Sequence, residues 1–167
     1  ADAYAEVNPY NGAQPDPDEV RALLVGTNAK GKQGDSDLVK TARTYLQGRE
    51  AYGVVFEHKP IDCSKGWNNG LTKLVGQTIG MLGRQEGMTP EGIYAVLYAG
   101  LEQLQAEEDR GARQTDWFTK GWDLVCRMWA NEMAQIEAEN RARAAQIAEA
   151  AKTREQLLAQ LVTERPQ

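Results

Sequence analysis

A chain of 167 residues with 41% apolar and 26% charged side chains and a mean hydropathy of -0.59 has the composition of a folded helical protein, not of a disordered one. Its length suits one folded unit with extensions rather than two ordinary domains and a linker. It holds no run of about 18 uncharged apolar residues, which excludes a membrane-spanning helix, and a net charge of -5 sets the molecule as a whole against phosphate backbones.

Residues 1–15 (ADAYAEVNPYNGAQP) mix Pro, Gly and Asn with Tyr4 and Tyr10 and show no periodicity, so they read as an extended arm whose tyrosines are candidate partner contacts. The segment lacks the basic cluster and apolar stretch of a secretory signal, and a start at Ala fits removal of an initiator Met. Cys63 and Cys126 form no CxxC pair, so a reducing compartment is expected, the cytoplasm or, for a viral protein, the virion. Both thiols are expected in the core or as neutral surface groups.

Asp16-Pro17-Asp18-Glu19 is a helix start: a capping Asp, Pro at the first helical position and acids in the first turn. That helix is expected to run to Val25 and stop at Gly26. GTNAKGKQGD then reads as a polar loop, and Asp35-Ser36-Asp37 opens a second helix with Leu38, Val39, Ala42, Tyr45 and Leu46 on one stripe. The segment AYGVVFEHKPID is the one stretch with strand character, through Val54, Val55 and Phe56, with Pro60 closing the run. A further helix is expected from about Asn69 to Leu82, with Gly76 and Gly80 on one face implying close backbone packing. Thr89-Pro90 opens a helix to about Ala106 that carries Ile93, Val96, Leu97, Leu101 and Leu104. Thr115-Asp116 opens the last one.

From Trp117 to about Glu164 the chain has no Pro and no stop signal beyond Gly121. Phe118, Trp122, Val125, Trp129, Met133 and Ile136 recur at threes and fours and make one seam, whose aromatic first half belongs against the upstream helices. At 1.5 Å per residue such a helix reaches on the order of 65 to 70 Å. Beyond Ile136 the apolar positions thin to Ile147, Ala150, Leu157 and Leu161 at near-heptad spacing, in an Ala-rich, charged context that is a good helix former but barely stable alone. Those four residues are the candidate protein-binding stripe. Nearly balanced charge on this helix argues against a membrane-surface role.

Chemistry candidates are few. Gly26 to Lys32 matches the GxxxxGK part of a phosphate-binding loop, with Leu23 to Val25 as a strand before it, but Gln33 stands where a magnesium-binding Ser or Thr belongs. His58 is the sole histidine, and with Asp62 and Cys63 it makes too small a set for a zinc site. Residues 81–104 have the outline of two helices joined by a turn, as DNA-binding modules use. The second of them, Ile93 to Leu104, carries no Arg or Lys.

The expectation is a mainly α protein: an arm at 1–15, a helical domain at 16–135, and a projecting C-terminal helix at 136–167 continuous with the helix that begins near 116. At most one short β segment, 54–57, is allowed. No catalytic residue, metal or cofactor is assigned, and the chain is read as a structural or interaction protein of a larger assembly such as a virion or other mobile-element product. The alternative is a DNA-associated regulator using Lys30, Lys32, Lys40, Arg43 and Arg49. A nucleotide-binding enzyme built on 26–32 ranks third.

Overall fold

The structure, a computed structural model, describes residues 12–27, 29–108 and 115–163. Tyr4 and Tyr10 of the expected arm, most of the turn before the last helix, and the final four residues lie outside that set. Among the described residues the chain forms six helices and two short strands, so the fold is mainly α, as the sequence implies.

The helix starts are set by local chemistry. In α1 (Pro17–Leu24), the Asp16 carboxylate accepts from Glu19 N at 2.8 Å while Asp16 N donates back to Glu19 Oε1 at 3.3 Å, a reciprocal capping box. Ser36 accepts from Val39 N at 3.3 Å to open α2 (Asp37–Tyr45). Thr89 accepts from Gly92 N at 3.1 Å at the start of α5 (Pro90–Glu108), and Asp116 accepts from Phe118 N and Thr119 N at 3.1 Å each at the start of α6 (Trp117–Thr163). Each cap satisfies a backbone N–H that lacks a partner within its helix.

Two local expectations are corrected. Residues 54–57 do not form a strand: Val54, Val55 and Phe56 close a helix, α3 (Glu50–Phe56). Packing outweighs the β preference of the two valines, because the helical turn buries Ala51, Gly53 and Val54 on one face. Arg49 gives α3 no side-chain cap. Instead Gln77, from α4 (Trp67–Leu82), accepts from Ala51 N at 3.1 Å. His58 ends the turn in the left-handed region, at φ 53°.

The second correction concerns 26–34, expected as a loop. Here β1 (Val25–Thr27) pairs antiparallel with β2 (Gln33–Asp35), Gly26 opposite Gly34. Gly31 at φ 75° serves the turn. Gly26 meets the chain as it enters α2: a Cβ there would stand 3.0 Å from Ser36 Cα.

The core forms around α5. Every residue from Gly92 to Leu97 is buried, so this part of the helix is enclosed on all sides, while Glu102, Ala106 and Glu107 further along are exposed. Helices α1, α2, α3 and α4 all pack on it. The first half of α6 adds an aromatic layer: Trp122 meets Tyr94 edge-on at 5.5 Å, Phe118 meets Tyr98 at 5.0 Å, and Trp117 meets Trp67 of α4 at 5.6 Å. Residues 12–16 run over this layer, where Trp122 Nε1 donates to Gly12 O at 3.2 Å and Gln14 lies between Tyr94 OH and Thr119 Oγ1. Of the two glycines expected to mark close packing on α4, Gly76 does so, a Cβ there standing 3.2 Å from Met128 Cε, while Gly80 faces open space.

The chain divides into two compact units between Glu132 and Met133, with α6 spanning the division. Arg84 of α4 pairs with Glu132 at 3.2 Å just before it.

The glycines give a paired test. A Cβ at Gly121 would meet Leu101 Cδ2 at 2.6 Å and Cδ1 at 2.8 Å, and Leu101 is fully buried, so the side chain would have to shift within the core. Gly121→Ala should therefore lower stability in urea unfolding by about 1 to 3 kcal/mol despite better helix propensity. Gly80→Ala, with nothing within 4 Å, should raise it by up to about 1 kcal/mol.

Candidate interaction surface

In the second unit every residue from Arg141 to Thr163 is exposed. Among them are large apolar side chains: Ile147 is 64% exposed, Leu157 56%, Leu158 53%, Leu161 65% and Val162 75%. At about 100° per residue these fall on one side of the helix. Ile147, Ala150, Leu157 and Leu161 follow the three-four spacing of a seam, and Leu158 and Val162 widen it at its C-terminal end. Asn140, Arg143 and Arg154 occupy the same seam as polar interruptions. Glu149 and Glu155 stand off it at its two sides, Glu139 flanks it on the side of Leu157, and Arg141 bridges to Glu137 at 3.8 Å, four residues away. Cover over this stripe would remove apolar surface from water at about 25 cal/mol per Å².

The basic residues weighed for nucleic acid are spread over three elements. Lys30 and Lys32 lie in the β1–β2 turn, Lys40 and Arg43 on α2, and Arg49 just before α3. Arg43 is already engaged: its Nη2 lies 3.1 Å from Asp35 Oδ2 and its guanidinium carbon 4.6 Å from the Phe56 ring centre. The phosphate-loop match at 26–32 lacks the geometry that motif needs. A helix precedes β1, and after Lys32 the chain returns as β2 instead of opening a helix whose amides could hold a phosphate.

Two clefts mark the first unit. One, of about 470 Å³, lies between α3, α4 and the segment 57–62. Four of its charges pair, Lys73 with Glu50 at 2.9 Å and Lys59 with Glu57 at 3.6 Å, and Arg49 and Asp62 also line it. The 59–61 backbone is pinned by Gln103 of α5, which accepts from Ile61 N at 2.7 Å and donates to Lys59 O at 2.9 Å. The other cleft, of about 340 Å³, is apolar and is bounded by Val39, Val55, Phe56 and Val96, with Asp35, Arg43 and Glu102 at its edge.

The titratable groups with displaced equilibria move away from neutrality. Hydrogen bonds from Ser64 and Thr119 hold the Asp62 and Asp116 carboxyls below their usual range. Burial raises the Cys63 thiol, pushes Cys126 up to about 11 and pushes the Tyr94 phenol up to about 12. At neutral pH both thiols are therefore protonated, inert groups. Among the described residues no cluster of His, Cys, Asp and Glu is placed to hold a metal ion, and no helix is long and apolar enough to cross a membrane.

Comparison with protein-family models, with curated proteins and with solved structures returns no match to this chain. Heptad spacing alone does not single out Leu158 and Val162. The sequence signal for them is adjacency, since LeuLeu at 157–158 and LeuVal at 161–162 form two doublets one turn apart. The contact of Gly12 and Gln14 with Trp122, Tyr94 and Thr119 has no periodic signal, because it joins residues more than 80 positions apart in most cases.

Exposure predicts a clean split in mutational cost. Leu157→Ser and Leu161→Ser should each leave the unfolding free energy of the purified chain within about 0.5 kcal/mol of the parent. Leu101→Ala in the core should cost about 2 to 5 kcal/mol. Both are measured by urea unfolding.

Proposed function

We propose that this chain is a non-catalytic structural or interaction subunit of a larger protein assembly, such as a virion or other mobile-element particle, and that it joins that assembly through its terminal helix. The observation that carries the reading is the apolar group at 147–162, more than half exposed at each large side chain. Such a stripe on one helix is unfavourable in water and becomes favourable when another helix covers it. The thiols add support, since burial raises both and keeps them from being thiolate nucleophiles at neutral pH. The reading places the protein in the cytoplasm of the cell that makes it, or in the particle.

Nucleic-acid binding through Lys30, Lys32, Lys40, Arg43 and Arg49 is the weaker reading, because Arg43 is held by Asp35 and Phe56.

Truncation after Ile136 tests the proposal. In extract of the producing cells the full chain should migrate as a complex heavier than its own mass, and the truncated chain should not, while both keep the same thermal transition for the first unit. Identical migration of the two would contradict the proposal.

A further inference from the structure

The seam of the terminal helix is not uniformly apolar, and its interruptions constrain what can cover it. Arg143 and Arg154 are eleven residues apart, about three turns with a residual rotation of roughly 20°, so both point from the same face. Ile147 and Ala150 lie between them along the seam, and Leu157 and Leu161 follow. We infer that the partner is not a second copy of this chain but a foreign amphipathic helix with carboxylates opposite Arg143 and Arg154 and apolar residues at its other seam positions. This rests on the reading of the terminal helix as a contact surface.

Self-pairing fails on charge. In a parallel, in-register pair each arginine meets its own copy. In the antiparallel pair of greatest overlap, with Ile147 opposite Ala150 of the second copy, Arg143 faces Arg154 twice. Sliding that pair by one heptad either way sets the arginines against Ile136 and Ile147, or against Ala150 and Leu161. The three-four positions 133, 136, 140, 143, 147, 150, 154, 157 and 161 hold no Asp or Glu, so no such register sets a carboxylate directly opposite either arginine. Like or unpaired charges in a desolvated seam oppose association, whereas a guanidinium facing a carboxylate fixes partner and register.

The test uses the full chain, its Arg143→Leu/Arg154→Leu double variant, and two synthetic helices the length of 133–163. Both helices carry Leu at the seam positions. One has Glu opposite the two arginines, the other Lys. The parent chain should be monomeric by light scattering up to about 100 μM, the double variant should double in mass, and the parent should bind the Glu helix at least tenfold tighter than the Lys helix. A parent chain that dimerises through this helix, losing the dimer on Leu157→Asp, would overturn the foreign partner and leave the contact surface standing. A monomeric parent that binds neither helix, with a double variant that also stays monomeric, would overturn both.

Discussion

The fold depends on enclosing one helix. The segment Ile93–Leu97 presents Ile, Tyr, Ala, Val and Leu in succession, all buried, and no cation appears anywhere in Pro90–Glu108. A helical stretch buried around its whole circumference cannot rest on a surface; it has to be surrounded. Helices α1 to α4 supply most of that enclosure and the first half of α6 supplies the rest, approaching closely because Gly121 leaves room for Leu101. Beyond the local caps, glutamines distant in sequence satisfy further backbone groups. Gln77 closes the start of α3, Gln103 the 59–61 backbone, and Gln105 the start of α6 through Trp117 N at 2.9 Å. The buried Tyr94 and Trp122 in turn keep hydrogen-bond partners in residues 12–14.

What the sequence makes legible is the local part of this. Asp16, Ser36, Thr89 and Asp116 announce their helices because a cap is chemistry within three residues. Val54 and Val55 mislead because their helix is set by burial against α4 and α5 and by a glutamine 26 residues away. The β1–β2 hairpin escapes notice because three-residue strands with Gly at their centres carry no alternating pattern. Gly80 misleads in the opposite direction: spacing puts it on the face of Gly76, but only Gly76 has a neighbour. Of the candidate surface, the periodicity of Ile147, Leu157 and Leu161 is legible along the chain. The breadth given by Leu158 and Val162, and the engagement of Arg43, depend on three-dimensional placement.

The long helix α6 carries two kinds of sequence without a break. Through Ala130 it contributes Trp117, Gly121, Trp122, Val125, Cys126 and Ala130 to the core. From Arg141 onward it contributes nothing buried, yet it keeps leucines and an isoleucine at regular positions. Helix propensity explains why the second stretch is helical; it does not explain the apolar residues, which cost solubility unless something covers them. The proposed role in an assembly supplies that cover.

Native-state hydrogen exchange of the purified chain is the most direct measure. Amides of 141–163 should exchange at least ~100-fold faster than those of 93–101, since a lone amphipathic helix opens at little cost while the enclosed one opens only with the domain. Equal protection of the two stretches would mean that the terminal helix is already covered by its own chain, which contradicts the proposal that it awaits a partner.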